Sequence, residues 1–398
     1  MNTNMKFHPF CIALGMAALA ISTAADAKVH RVRPGQSIQA AIDSAAPGDT
    51  ILVEPGIYRE NPDSRYGLRI QTENLRLIGK VVQGRGETGK VRLVRDGRQE
   101  TGIYAAPVGC EYDAVEGSCP LPDLRGFHVR GFTVEDFPSN GIQTRWVDGF
   151  EFVANESARN LNNGIYPTLS ANGLLRNNVS YGSLDTAMWV AASENVRVIG
   201  NELHSSVIGF EITVSNNVWV TQNTIHDNTV GVGLFHPNGA GNPPLPVMAN
   251  WVVEHNDVRD NNRPNEAPPG TFQSFLPPGI GILLTGVSDH VIAKNNVAGN
   301  DFVGIAVLGW CTANAGTPNA CELEPPIADP AANNNLVSQN KVFGNGLSPP
   351  PIPVAFLAAD IAYFEFEGSS GNCFAKNTPV GFTFVSSEPD GLLPTDGC

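Results

Sequence analysis

Two acids, a histidine, a tyrosine and an arginine stand where they could move protons on a sugar. Glu211 is the third residue of Gly209-Phe210-Glu211-Ile212, and Asp185 stands just before the related strand Ala187-Met188-Trp189-Val190. Two carboxyl groups that face each other can cleave a glycosidic bond, one as acid and the other as nucleophile or base. The same neighbourhood offers a second chemistry. β-Elimination or C5 epimerisation of a uronate needs a group that neutralises the carboxylate, for which Arg145 or Gln143 qualifies, and a base for the C5 proton, for which Tyr166 or His236 qualifies. Glu211 joins the proton-transfer candidates if burial raises its pKa. The catalytic candidates are therefore Tyr166, Glu211, His236, Arg145 and Asp185. Tyr104, Gln143, Trp189 and Phe235 are the substrate-binding candidates, through ring stacking and hydrogen bonds to hydroxyls.

These residues share a repeat that must position them. A Gly–apolar–x–apolar strand starts at Gly141, Gly164, Ala187, Gly209 and Gly231, at intervals of 23, 23, 22 and 22. It returns at Gly281 and Gly304, with weaker copies at Gly67 and Gly102. An Asn-x-apolar element recurs at Asn177, Asn201, Asn223, Asn256, Asn295 and Asn340. Strand alternation turns the two apolar positions inward and x outward. One such coil cannot bury its apolar face alone, so coils must stack. Asparagine suits the left-handed bend between short strands, and its amide can bond to its copy in the next coil.

Reading x down the stack gives Arg69, Tyr104, Gln143, Tyr166, Trp189, Glu211, Gly233, Leu283 and Ala306. One step along the strand come Arg145, Thr168, Ala191, Thr213 and Phe235. With coils ~4.8 Å apart, Gln143, Arg145, Tyr166, Trp189 and Glu211 should form one continuous patch. Insertions at 105–123, 236–250, 263–279 and 309–332 flank this column and could wall a cleft beside it. His204 and His226 hold equivalent places in adjacent coils on another face, where Arg259 follows, so a ladder is expected there and not a metal pair.

Ser37 is placed to N-cap a short helix through Ile38, Ala41, Ile42 and Ala45, which would cover the open end of the stack. This opening, SIQAAIDSAAPGDTILVEPGIYRE, and the coils after it resemble the pectate-lyase-like superfamily over roughly residues 30–385. The resemblance implies an all-β, right-handed parallel β-helix with coils of about 22 residues and three short sheets. It implies one domain over 28–398, with an N-terminal cap over about 28–60 and a C-terminal cap over about 347–398. Enzymes of this superfamily act on polysaccharides as lyases, polygalacturonases, methylesterases or epimerases. The Asn-Thr-Asp and Gly-His-Gly of polygalacturonases, the Gly-x-x-Asp-Phe-Ile-Phe-Gly of pectin methylesterases and the Asp-Pro-His-Asp of uronan epimerases are missing, so no catalytic residue carries over by motif. The expected function is action on a polysaccharide or oligosaccharide by lyase or epimerase chemistry. The alternatives are a non-catalytic glycan-binding or accessory solenoid, and a glycoside hydrolase using a carboxylate pair.

Residues 1–27 read as an export signal, with Lys6, an apolar stretch over residues 10–21 and the small-x-small site Ala25-Asp26-Ala27. No later apolar run is long enough to span a bilayer, so the mature chain is expected in the periplasm or outside the cell, not embedded in a membrane. Cys110, Cys119, Cys311, Cys321, Cys373 and Cys398 remain, an even number that points to disulfides, pairing sequence neighbours being simplest. A net charge of -14 without a basic stripe argues against nucleic acid. An anionic glycan would need local Arg and Lys or a bound cation. A calcium ion is the candidate there, and no cofactor motif is present.

Overall fold

Each repeat folds into three short strands separated by tight bends, and each strand pairs only with its copies in neighbouring coils. The computed structural model describes residues 27–110, 119, 122–236, 248–314, 329–365, 368–379, 381–395 and 398. Among these, the strands form parallel sheets of twelve, eleven and ten members. The twelve-stranded sheet runs from Val29–Val32 to Cys373–Ala375, and the ten-stranded sheet from Gly56–Tyr58 to Lys341–Phe343. The eleven-stranded sheet runs from Tyr66–Ile70 to Phe384–Ser386 and carries the Gly–apolar–x–apolar strands. The chain is an all-β, right-handed parallel β-helix.

The register follows the repeat. Ile142 lies opposite Ile165, Met188 opposite Phe210, and Phe210 opposite Val232. All five are fully buried, so the apolar positions do face the core. The weaker copies belong to the same sheet, with Leu68 opposite Ile103. The leading glycine is there for close approach. A Cβ on Gly141 would collide with the Gly164 carbonyl, and one on Gly164 with the Ala187 carbonyl.

The two tasks expected of asparagine fall to different columns. Asn172, Asn195, Asn217 and Asn250 take the left-handed backbone, with φ of 56, 56, 53 and 59°. Asn155, Asn178, Asn201, Asn223, Asn256, Asn295 and Asn340 are buried and form an amide ladder along the axis. In each step the next residue's Oδ1 accepts from both the side-chain and the backbone N–H, as Asn223 does for Asn201 at 2.9 Å each. Asn178 and not Asn177 is the ladder member. Asn177 takes the left-handed turn one residue earlier, with φ 54°.

The helix Ile38–Asp43 forms as expected, with Ser37 Oγ accepting from Ala40 N–H. Ile38 and Ile42 join the core and cover the end of the stack. Buried Glu60 accepts from Ser37 Oγ and Ile38 N–H at 2.7 Å each, placing its charge at the helix N-terminus. At the other end, Ala359–Phe364, Cys373–Ala375 and Phe384–Ser386 continue the sheets within the segment expected to be a cap.

Cys110–Cys119 and Cys373–Cys398 are disulfides between sequence neighbours. Cys311 is also disulfide-bonded, and Cys321 lies outside the described residues. Residues 1–26 of the expected export signal lie outside them too. No helix among the described residues is long and apolar enough to cross a membrane.

Candidate active site

The outer face of the eleven-stranded sheet holds the expected column. Gln143 lies opposite Tyr104 and Tyr166, Trp189 opposite Glu211, and Glu211 opposite Gly233. Pairing thins between Ile165–Thr168 and Thr186–Ala191, where Pro167 has no N–H to donate. The outward rings bridge that gap. Tyr166 and Trp189 stack at 4.6 Å with an interplanar angle of 14°. Trp189 Nε1 donates to Thr213 Oγ1 at 3.0 Å, which fixes the indole. Each ring therefore spends one face on the other, so the pair offers edges and one outer face to a sugar, not two open platforms.

Asp185 and Glu211 meet at one hydroxyl. Thr186 Oγ1 lies 2.6 Å from Glu211 Oε2 and 3.2 Å from Asp185 Oδ1. A hydroxyl has a single proton to give. If Thr186 donates to one acid, its contact with the other becomes a hydrogen bond only when that acid carries a proton. The arrangement is satisfied when the pair holds a proton between its members. Desolvation acts in the same direction. Burial pushes the Asp185 carboxyl up to about 6. Burial, and then the Asp185 charge, push Glu211 well above the usual carboxylate range. Glu211 is only 6% exposed, whereas Asp185 is partly exposed.

Gln143 and Arg145 flank this centre on the N-terminal side. Both are buried. Gln143 Oε1 accepts from Asn140 Nδ2 at 3.0 Å, while its Nε2 finds no acceptor among the described residues. The Arg145 guanidinium lies 4.5 Å from the centroid of the Trp146 ring.

Three candidates are placed otherwise than expected. Tyr104 is 1% exposed and stacks on Tyr66 at 4.2 Å, so its face is closed to a sugar. Phe235 is buried against Phe272, with centroids 5.3 Å apart, and its ring fills the space where a Cβ on Gly233 would stand. His236 is half-buried with its ring 6.3 Å from Trp310, at the apolar end of the sheet. Loop 263–279 reaches this end, as its Phe272 shows. The central parts of the other three insertions lie outside the described residues.

The residue that sequence reasoning missed is Thr186, which joins the acids. A signal was available. The residue preceding the strand is Asn140 and Asn163 in two coils and Ile208 and Val230 in the two after Thr186, so a hydroxyl appears where the column turns from polar to apolar.

His204 and His226 stack at 5.2 Å on the ten-stranded sheet, continuing from Tyr181, as the ladder expectation had it. Among the described residues no three His, Cys, Asp or Glu side chains converge to hold a metal ion. A wider hollow of about 820 Å³ lies elsewhere, lined by Arg76, Lys80, Lys90 and Arg130. Its lysines already pair with Glu54 and Glu156, and neither acid of the central pair lines it.

A family model for the right-handed β-helix region matches residues 140–320. Among solved structures, the chain is similar to the A-module of a mannuronan C-5 epimerase from Azotobacter vinelandii. The TM-score is 0.53 at 14% identity, over 88% of this chain and 95% of that one. It is also similar to a mutant DFA-IIIase from Arthrobacter chlorophenolicus in complex with DFA-III. There the TM-score is 0.55 at 14% identity, over 93% and 87% of the two chains. The Dettilon tailspike protein aligns at TM-score 0.50 and 11% identity, over 90% of this chain and 62% of that one. No curated protein matches in sequence. At these identities the likeness shows the fold.

Proposed function

Taking the chain as a right-handed parallel β-helix of the pectate-lyase-like superfamily, we propose that it is an exported carbohydrate-active protein that cleaves glycosidic bonds with Asp185 and Glu211. The observation that carries this reading is the shared contact of both carboxyls with Thr186 Oγ1. Two acids on one hydroxyl stand closer than the ~6.5–9.5 Å that an inverting enzyme keeps for its water, which favours a retaining course. Glu211, the more buried acid, whose pKa burial raises, donates its proton to the glycosidic oxygen as the bond to the anomeric carbon breaks. Asp185, ionised above about pH 6, takes that carbon as an ester. Water then adds to the anomeric carbon, returns a proton to Glu211 and frees Asp185. The Trp189 outer face and the ring edges of Tyr166 hold the sugar beside the pair. Disulfides and the signal-like residues 1–27 support export, and neighbours that include a mannuronan epimerase support a glycan partner.

A second reading has its own observation. Gln143 Nε2 is buried next to Arg145 without an acceptor among the described residues, as a site for a uronate carboxylate would be. Tyr166, on the neighbouring strand, would then take the C5 proton in a lyase or epimerase reaction. A panel of neutral and uronate glycans separates the two. New reducing ends without unsaturated uronates, lost in both Glu211→Gln and Asp185→Asn, support glycosidic cleavage. Unsaturated or epimerised uronates that persist in Glu211→Gln would replace it with the second reading. Glycan binding without any turnover would leave a binding module and sink both.

A further inference from the structure

The same outer face changes character two strands beyond Glu211. Glu211 is followed in register by Gly233, Leu283 and Ala306, and Thr213 by Phe235, Thr285 and Leu308. Over these strands lies a cavity of about 270 Å³. Its walls include Phe235, Phe272, Leu283, Phe302 and Phe364. The segment 263–279 roofs it, with the short helical turn Phe272–Phe275 carrying Phe272 edge-on to Phe235 and flat on Trp310. At ~30 Å³ for each water-sized group, there is room for about nine such groups, the size of a fused ring pair or a medium alkyl chain.

Three polar side chains, Thr285, Thr312 and Asn314, interrupt this apolar wall. Thr285 lines the cavity, is 3% exposed, and its Oγ1 has no hydrogen-bond partner among the described residues. Buried hydroxyls are normally paired, so this one marks where an oxygen of an occupant belongs. Distance relates the cavity to the acid pair. Leu283 lies two strands from Glu211, ~10 Å at ~4.8 Å per strand, about the reach of one or two sugar units.

We infer that this cavity is the subsite for an apolar aglycone, an aryl or alkyl group attached through oxygen, of the glycoside whose anomeric carbon sits at Asp185 and Glu211. The inference rests on the cleavage reading above and extends it to a substrate class. The aromatic walls take the ring or chain by area burial and edge contacts. Thr285 Oγ1 donates to a substituent oxygen carried by the aglycone, and Phe235 separates the apolar compartment from the acids.

Two measurements on the purified full chain test it. The first is calorimetric titration with 2-naphthol, a sugar-free probe of the cavity. Binding in the micromolar range is expected. It should be lost in Leu283→Trp, which fills the space, fall several-fold in the near-isosteric Thr285→Val, and stay unchanged in Glu211→Gln. Thermal unfolding confirms that each variant is folded, and Thr285→Val alone decides the matter if Leu283→Trp is not. No binding, or binding indifferent to a folded cavity variant, overturns the subsite. The second compares octyl or naphthyl glycosides with methyl glycosides of the same sugars. At least a tenfold preference for the larger aglycone, erased by the cavity variants, is expected. Naphthol binding with no cleavage of any glycan sinks the cleavage reading and this assignment of the cavity with it. Cleavage with no aglycone preference sinks the assignment alone.

Discussion

The chain buries polar side chains in two ways, and the contrast separates scaffold from site. Along the asparagine ladder every amide is met. Asn223 Nδ2 donates to the Val198 carbonyl and to Asn256 Oδ1, while its own Oδ1 accepts from Asn201. The outer face around the acids treats its polar groups differently. Glu211 and Asp185 share one hydroxyl, Gln143 Nε2 finds no acceptor among the described residues, and both acids are pushed toward their neutral forms. A satisfied buried group holds a fold together, whereas a group left short of partners costs stability and stays only where something else is gained. Perturbed acids that share one hydroxyl are accordingly functional candidates, while the ladder is architecture.

The largest effects should show the contrast directly. Glu211→Gln should lower glycan cleavage by about 10²–10⁴-fold, the range a positioned general acid contributes, yet leave the protein as stable as before or more so at neutral pH. Asn223→Ala should do the reverse. It strips the ladder of partners on both sides, at about 1–3 kcal/mol for each group left buried and unpaired, so urea unfolding should shift by several kcal/mol. A Glu211→Gln protein that unfolds as readily as Asn223→Ala would erase the distinction.

Acidity sharpens the comparison further. Both acids are raised in the folded state, so the fold binds more protons than the unfolded chain. Their contribution is therefore fully present below the ordinary carboxylate range near pH 4. It is lost as pH rises through about 6 for Asp185, and Glu211, raised in the same direction, adds to the loss. Stability measured from pH 4 to 8 should fall by up to ~1.4 kcal/mol per pH unit for each proton retained, and the slope should flatten in an Asp185→Asn, Glu211→Gln double variant. The cleavage rate should have its acidic limb near pH 6, where Asp185 must ionise. A limb that stays put in Asp185→Asn would remove Asp185 from that role.

The smallest effect concerns the rings. Trp189→Ala removes one half of the stacked pair and its bond to Thr213. It should weaken glycan binding by about 1 kcal/mol, in line with an aromatic contact of ~0.5–1.5 kcal/mol beyond area burial, with little change in the pH profile. Tyr104→Ala should instead lower stability and leave binding alone, because Tyr104 is packed against Tyr66.

Read from residues alone, the architecture was largely legible and the site only in part. The coil, the inward apolar positions, the outward column and the capping helix follow from the two-residue alternation and the recurring Gly and Asn, because in a stack of copies local pattern and neighbour contacts are the same thing. The off-by-one at Asn177 shows the limit of that reasoning. Asn177 fits the Asn-x-apolar pattern because Ser180 replaces the apolar residue that would mark Asn178, and only burial tells which lies inside. Asp185 and Glu211 were singled out, but spacing could not bring them together. Asp185 lies at a bend before its strand, and the hydroxyl joining it to Glu211 comes from Thr186, a position outside the x column. Tyr104 shares the outward column of Trp189, and Phe235 stands in the outward column one step along the strand. Whether a ring there is open depends on Tyr66 and on Phe272 from a loop, contacts that no repeat encodes. The repeat alone specifies the solenoid and the face on which chemistry could lie. Which outward residues stay reachable, and which acids meet at one hydroxyl, is set by tertiary contacts, because both depend on bends and insertions where the repeat is interrupted.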